Sequence, residues 1–247
     1  ILEMNTTIQK MDNTIQNTKI DELSLDIIEL ISKSPFEAFT IDKIKESISK
    51  QIDTNYATIY RKVESLVEQG ILSKSMYGMA SQIKLNLDSE KTISLLALIE
   101  SKKLEEFLNK FKGLLGITLN EIIKDTKDTV EDKCILIFGS YAKGTQTKNS
   151  DLDVLVILEP SKHIQQQHFD NYLESIKKSM MGMLRINELK GAPKINPIIV
   201  SNREHKEMIL NKEANVAKET LLNHIILKGF SEYWREIAIC RQNVIQS

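Results

Sequence analysis

Gly139, Ser140, Asp151 and Asp153 are the residues of this chain whose types and spacing suit a reaction. Cys134 to Phe138 is a continuous apolar run of strand length, Gly139 and Ser140 follow it, and Ser150-Asp151-Leu152-Asp153 leads into a second apolar run, Val154 to Leu158. A glycine after a buried strand lets backbone approach a ligand. Amides opening a helix at Tyr141–Lys143, with the Ser140 hydroxyl, make an anion site. Asp151 and Asp153 are two apart, so on a strand both carboxylates project from one face. Side by side they repel unless a cation sits between them. Mg2+ takes few protein carboxylates and completes its shell with phosphate oxygens and water. An anion cradle beside such a pair is equipment for nucleotidyl transfer. The bland alternative is a plain turn at Gly139 and a solvated strand end at the aspartates; the agreement of strand, turn, spacing and second strand argues against it.

The stretch from Cys134 to Asp153 resembles the signature of the DNA polymerase beta nucleotidyltransferase superfamily, a Gly-Ser pair followed about ten residues later by Asp-x-Asp. Its Gly-Ser-Tyr-Ala-Lys-Gly and Ser-Asp-Leu-Asp forms look most like the minimal nucleotidyltransferase branch. The resemblance covers residues 133–160. It implies a nucleoside triphosphate bound by Gly139 and Ser140, with Lys143, where the branch usually has a basic residue, and Ser150, heading the acidic motif, as further nucleotide-binding residues. It also implies that Asp151 and Asp153 are the catalytic, metal-holding pair for Mg2+ or Mn2+.

Relatives of this kind usually place a third carboxylate on a following strand, as metal ligand and as base toward the incoming hydroxyl. Here that strand is Ile195–Val200, which contains no acid. Glu159 shares the parity of the aspartates but lies six residues beyond Asp153, ~20 Å along an extended strand. Glu188 falls in an expected loop. Asn196 offers a neutral amide oxygen, a poorer ligand and no base. Two carboxylates can still hold Mg2+ with a triphosphate, so binding survives this gap better than turnover does.

Three helices and a hairpin precede this region. Leu23, Ile27, Leu30 and Ile31 share a helix face that stops near Ser34-Pro35; Ile41, Ile44 and Ile48 mark a second helix. Asp53 or Thr54 offers an N-cap to a third, whose expected apolar face is Tyr56, Ile59, Tyr60, Val63, Leu66 and Val67, with Gly70 as its αL stop. Ile71-Leu72, a turn at Tyr77-Gly78 and Ile83–Leu85 read as two strands. This is the winged-helix plan. A connecting helix follows from Asp88 or Ser89, with a break expected at Lys102-Lys103. The rest is read as a helix at Ile117–Val130, a polar loop at Ser161–His168, a helix at Phe169–Leu184, a helix at Glu213–Lys228 stopped by Gly229, and a last helix at Phe230–Ile239.

Asn55 to Val63 resembles recognition helices of bacterial and archaeal winged-helix regulators, and Ala57–Arg61 resembles the ferric-uptake regulator family without its His- and Cys-rich metal motifs. The early residues of such a helix face the DNA groove. The candidate nucleic-acid contacts are Asn55, Tyr56, Thr58, Arg61 and Lys62, with Lys74, Ser75 and Tyr77 on the wing. Residues 21–88 carry eight Lys/Arg against eleven Asp/Glu. DNA affinity rests largely on neutralising phosphates, so this domain needs a segregated basic face; Arg61, Lys62, Lys74 and Lys84 are its members. Protein contact or homodimerisation is the competing use of the fold.

Composition narrows the classes further. The 247 residues are 41% hydrophobic and 27% charged, with a net charge of −1, so there is no overall pull toward nucleic acid or anionic membrane. Nine Gly and four Pro exclude collagen-like and Pro/Gly-rich disordered chains. Cys134 and Cys240 lack C-x-x-C spacing, which argues against a disulfide scaffold or zinc site and suits a reducing cytosol. No apolar run nears the ~20 residues that span a bilayer, and the start lacks the pattern of a secretory signal. Met4 is a candidate native start. His163 and His168 have no metal-like spacing, and His205 and His224 read as satisfied surface or core histidines.

The expectation is therefore a cytoplasmic α+β or α/β multidomain chain: a polar tail over 1–20, a winged helix over 21–88, a connecting helix over 89–112, and a nucleotidyltransferase-like domain with a small mixed sheet over 113–247. This order is similar to archaeal and bacterial proteins that fuse the two. Three functions fit it: a Mg-dependent nucleotidyltransferase acting on a hydroxyl of a protein, nucleic acid or small molecule; a nucleotide-binding DNA regulator with little catalysis; and an antitoxin-like partner of another protein.

Overall fold

The computed structural model describes residues 20–78, 80–111, 113, 115–117, 119, 132–159, 171–175, 178, 182 and 193–246. Within them the chain forms two compact units. One runs through Ser101 and takes in the chain from Trp234 onward; the other is Lys102–Tyr233.

The first unit opens with α1 (Glu22–Ser32), α2 (Ile41–Ile48) and α3 (Tyr56–Glu68), then β1 (Leu72–Tyr77) and β2 (Ala80–Leu85). The strands pair antiparallel from Leu72 opposite Leu85 to Tyr77 opposite Ala80. Asp21, Thr40 and Asn55 cap the three helices through their side chains. Ile27, Ile31, Ile44, Ile59, Val63, Leu66, Ile71 and Ile83 form the core. Helix order and hairpin match the winged-helix expectation.

Two details differ. The N-cap of α3 is Asn55, whose Oδ1 accepts from the Thr58 amide at 2.9 Å, not Asp53 or Thr54. Tyr56 and Tyr60, expected on the apolar face, are exposed. Ile59, Val63 and Leu66 already fill a stripe at helical spacing, and the two tyrosines fall on its flank, where their rings stack 6.3 Å apart.

Helix α4 (Glu90–Lys110) is unbroken through Lys102-Lys103. Lysines are good helix formers, and the segment holds no Gly or Pro to interrupt it. At its start Glu90 accepts from Arg235 at 2.8 Å, within the first unit. That guanidinium hydrogen bond holds the Glu90 carboxyl below its ordinary range.

The second unit is built on a four-stranded sheet in the order β5-β4-β3-β6: β3 (Asp132–Phe138), β4 (Leu152–Leu158), β5 (Ile195–Ser201) and β6 (Ile225–Lys228). β3 runs antiparallel to β4 and β6, and β4 parallel to β5. It is the small mixed sheet expected. Cys134–Phe138 and Val154–Leu158 are buried throughout, as continuous apolar strands of a covered sheet must be. A short helix α5 (Gly139–Lys143) joins β3 to the loop before β4, and α6 (Asn202–Leu210) follows β5 behind a Ser201–Glu204 capping box.

The helix expected at Glu213–Lys228 is instead α7 (Val216–Leu222) followed by β6. Asn223 leaves the helix in extended conformation. The β-branched Ile225-Ile226 then pairs with β3 and covers an edge that would otherwise be open. The last helix, α8 (Phe230–Gln246), is longer than expected. Residues 171–175 are helical, in line with the expected Phe169–Leu184 helix. The 1–19 tail, most of the Ile117–Val130 helix, the Ser161–His168 loop with His163 and His168, and Glu188 lie outside the described residues. His205 is a core residue, and Cys134 and Cys240 are buried. No described helix is long and apolar enough to cross a membrane.

Candidate active site

β3 delivers the chain to Gly139 with Phe138 registered opposite Asp153 of β4. Gly139 has φ 67°, and a Cβ built on it would stand 2.3 Å from the Oδ2 of Asp153. Glycine is required twice here, for the left-handed backbone and for the room. The turn, expected to lie near the acidic pair, therefore touches it. The Thr145 amide donates to the Ser140 carbonyl at 3.0 Å, and Gly144 closes the short helix at φ 71°. Tyr141 is buried, with its ring 5.7 Å from that of Phe111. Burial pushes its phenol up.

Asp151 stands one residue ahead of β4, and Asp153 lies within it. Both are half-buried. In the parallel pairing of β4 with β5, Asp153 faces Asn196 directly, and the Asn196 Nδ2 donates to Asp153 Oδ1 at 2.9 Å. The Leu152 amide donates to the Lys194 carbonyl at 2.7 Å, and the Lys194 ammonium reaches Asp151 Oδ2 at 3.2 Å. Thus β5 and the residue just ahead of it bring no acid to the pair but two hydrogen-bond donors. Glu159 is engaged elsewhere, accepting from Asn202 at 2.9 Å.

Two nominated residues have protein partners. Lys143 pairs with Glu219 of α7 at 2.6 Å. The Ser150 hydroxyl accepts from the Thr147 amide at 2.8 Å and organises the loop ahead of Asp151. Sequence alone does not single out Lys194, one residue ahead of β5, because a cation there is neither a metal ligand nor a base. Its parity with Asn196 was the available signal.

A family model described as a nucleotidyltransferase domain matches residues 119–225. Two proteins of Methanocaldococcus jannaschii, each named "Putative protein adenylyltransferase" (MJ0126 and MJ1215), are both 33% identical over 67 residues, 27% of this chain and 68% and 78% of their own lengths. A third of that name, MJ1379, is 35% identical over 75 residues, 30% of this chain and 61% of its own. The chain belongs to the nucleotidyltransferase family. A transcription regulator of the Staphylococcus aureus multidrug efflux pump MepA, MepR, aligns with 51% of the chain and 90% of its own at 11% identity and a TM-score of 0.33, a likeness that carries no argument.

The nucleotidyltransferase domain presents oxygen donors suited to a hard divalent ion, two carboxylates on one strand face beside a glycine turn. Among the described residues no group of three or more His, Cys, Asp or Glu could hold a metal. An ion held by these two carboxylates would need phosphate and water to complete its shell. The donors fit one such ion when a triphosphate is present.

In the first unit the nominated contacts of this nucleotidyltransferase are partly committed. Asn55 is spent on the cap and Thr58 donates its amide to it. Lys62 pairs with Asp21, and Lys74 pairs with Glu64 while lying 5.5 Å over the Tyr60 ring. The Glu64 hydrogen bond raises the Lys74 pKa. Arg61 is exposed, with Nε 3.3 Å from the Ala57 carbonyl. Tyr56 and Tyr77 are exposed at 47% and 76%, and Ser75 is exposed as well.

Proposed function

We propose that this chain transfers a nucleoside monophosphate from a triphosphate to an acceptor hydroxyl, with Asp151 and Asp153 holding Mg2+ or Mn2+ and Gly139 and Ser140 receiving the phosphates. The observation that carries this reading is the closeness of Asp153 to Gly139, which supports taking the turn and the acidic pair as one site. The names of the relatives point to ATP as the nucleotide and a protein hydroxyl as the acceptor.

A divalent ion at the acidic pair supplies charge neutralisation and polarisation at the phosphorus. Gly139 would admit phosphate close to backbone, and Asp151 and Asp153 would hold the ion against which the triphosphate is oriented. The acceptor oxygen forms a bond to the α-phosphorus as the bond to pyrophosphate breaks. Asn196 cannot take the hydroxyl proton, which passes to solvent. General-base assistance contributes typically ~10²–10⁴-fold, so transfer is slow.

The winged-helix unit is proposed to bind DNA through Arg61, Tyr56 and Tyr77 first, since Lys62 and Lys74 are already paired with acids. The Asn196–Asp153 hydrogen bond favours a second reading, a nucleotide-responsive regulator with little turnover.

Incubation with each of the four α-labelled triphosphates and Mg2+ or Mn2+ tests the first reading. Labelling of the chain or of added protein should occur and be lost in Asp151→Asn/Asp153→Asn. Labelling that survives the double substitution overturns it; nucleotide binding without labelling selects the regulator.

A further inference from the structure

We propose that Lys194 is the counter-cation of this site: it neutralises Asp151 before the divalent ion arrives and turns to the nucleotide phosphates once the ion has taken that carboxylate. The proposal rests on the reading of Asp151 and Asp153 as metal ligands.

The geometry rests on four side chains at the ends of two neighbouring strands. Asp151 and Asp153, two apart at one end of β4, concentrate two negative charges beside Gly139. The neighbouring parallel strand and the residue just ahead of it match them with two donors at the same spacing, Lys194 to Asp151 and Asn196 to Asp153. The backbone bond from the Leu152 amide to the Lys194 carbonyl ties the lysine to this position. Its side chain is left loose: Lys194 is 68% exposed and Asp151 41%. Exposed ion pairs of this kind are weak and readily exchanged. A divalent ion therefore displaces the ammonium without disturbing the fold. The released lysine stays tethered on a flexible four-carbon stem, beside the site where the acidic pair would hold a triphosphate. An ammonium is a good point-charge partner for phosphate.

A competitor for the ion alone and a helper for the ion–nucleotide complex gives effects of opposite sign. In Lys194→Met, Mn2+ alone should bind roughly two- to fivefold tighter, read by electron paramagnetic resonance of free Mn2+. The same variant should bind a Mg2+-loaded triphosphate analogue with a non-cleavable α,β-bridge roughly tenfold more weakly in calorimetry, and Lys194→Arg should restore most of that loss. Shifts of the same sign, or no shift in either assay, overturn the role of Lys194. Asp151→Asn separates this from the underlying reading: if it leaves Mn2+ binding unchanged, the metal site itself is wrong. If it weakens Mn2+ binding while Lys194→Met has no effect, the assignment of Lys194 alone fails.

Discussion

Asn196 faces Asp153 across two parallel strands and donates its side-chain amide to that carboxylate at 2.9 Å. The pairing sets a neutral amide, neither a metal carboxylate nor a base, directly against the acidic pair.

Replacing that neutral residue by an acid should add a ligand and a base. Asn196→Asp is expected to raise transfer above wild type, by no more than the ~10²–10⁴-fold typical of general-base catalysis. Its rate should climb with pH as the new carboxylate ionises. Labelling time courses across pH check this. A substitution that leaves brisk wild-type transfer unchanged or lowers it shows that the base comes from another part of the chain, with Glu188 the first to replace.

Gly139→Ala places a methyl group 2.3 Å from Asp153 Oδ2 at a left-handed backbone position. The strain costs about 1–2 kcal/mol of stability, and the carboxylate must move to admit the methyl. Nucleotide affinity in the presence of Mg2+ should fall by at least about tenfold, the scale of one lost charge-assisted contact. Thermal melting and calorimetry report the two effects separately. Undiminished affinity would detach the turn from the acidic pair.

Asp21→Asn tests how the first unit manages its charge. Asparagine preserves the cap of α1 and releases Lys62 from its ion pair. DNA binding, read by gel shift, should therefore tighten, with a log–log salt slope steeper by ~1. Arg61→Ala/Lys62→Ala should weaken binding and flatten the slope by ~1 per lost phosphate contact. Unchanged affinity in that double variant removes this helix from DNA recognition.

The same aspartate shapes the acid limb of stability. Burial raises the Asp21 pKa, but hydrogen bonds from Lys62 and Ser24 outweigh it, and the carboxyl sits below its ordinary 3.8. A depressed folded-state pKa stabilises fully above the unfolded value and is lost as pH falls through the folded one. Circular dichroism from pH 5 downward should show a smaller acid-induced loss in Asp21→Asn than in wild type.

Local pattern alone determined much of this protein. The Ile27, Ile44 and Ile59 faces, the hairpin, the apolar strands at Cys134–Phe138 and Val154–Leu158, and the Gly139–Asp153 motif each depend on residues close in sequence, where helix and strand periodicities act directly. Tertiary structure decided the rest. Ile225–Lys228 became a strand because β3 offered an edge, and Tyr56 and Tyr60 turned outward because Ile59, Val63 and Leu66 had filled the stripe. The partners of the two aspartates lie 43 residues further along the chain. Only the register of β4 against β5 sets Lys194 beside Asp151 and Asn196 beside Asp153, because strand pairing is chosen by packing between distant segments and a one-residue slip would turn both side chains to the other face.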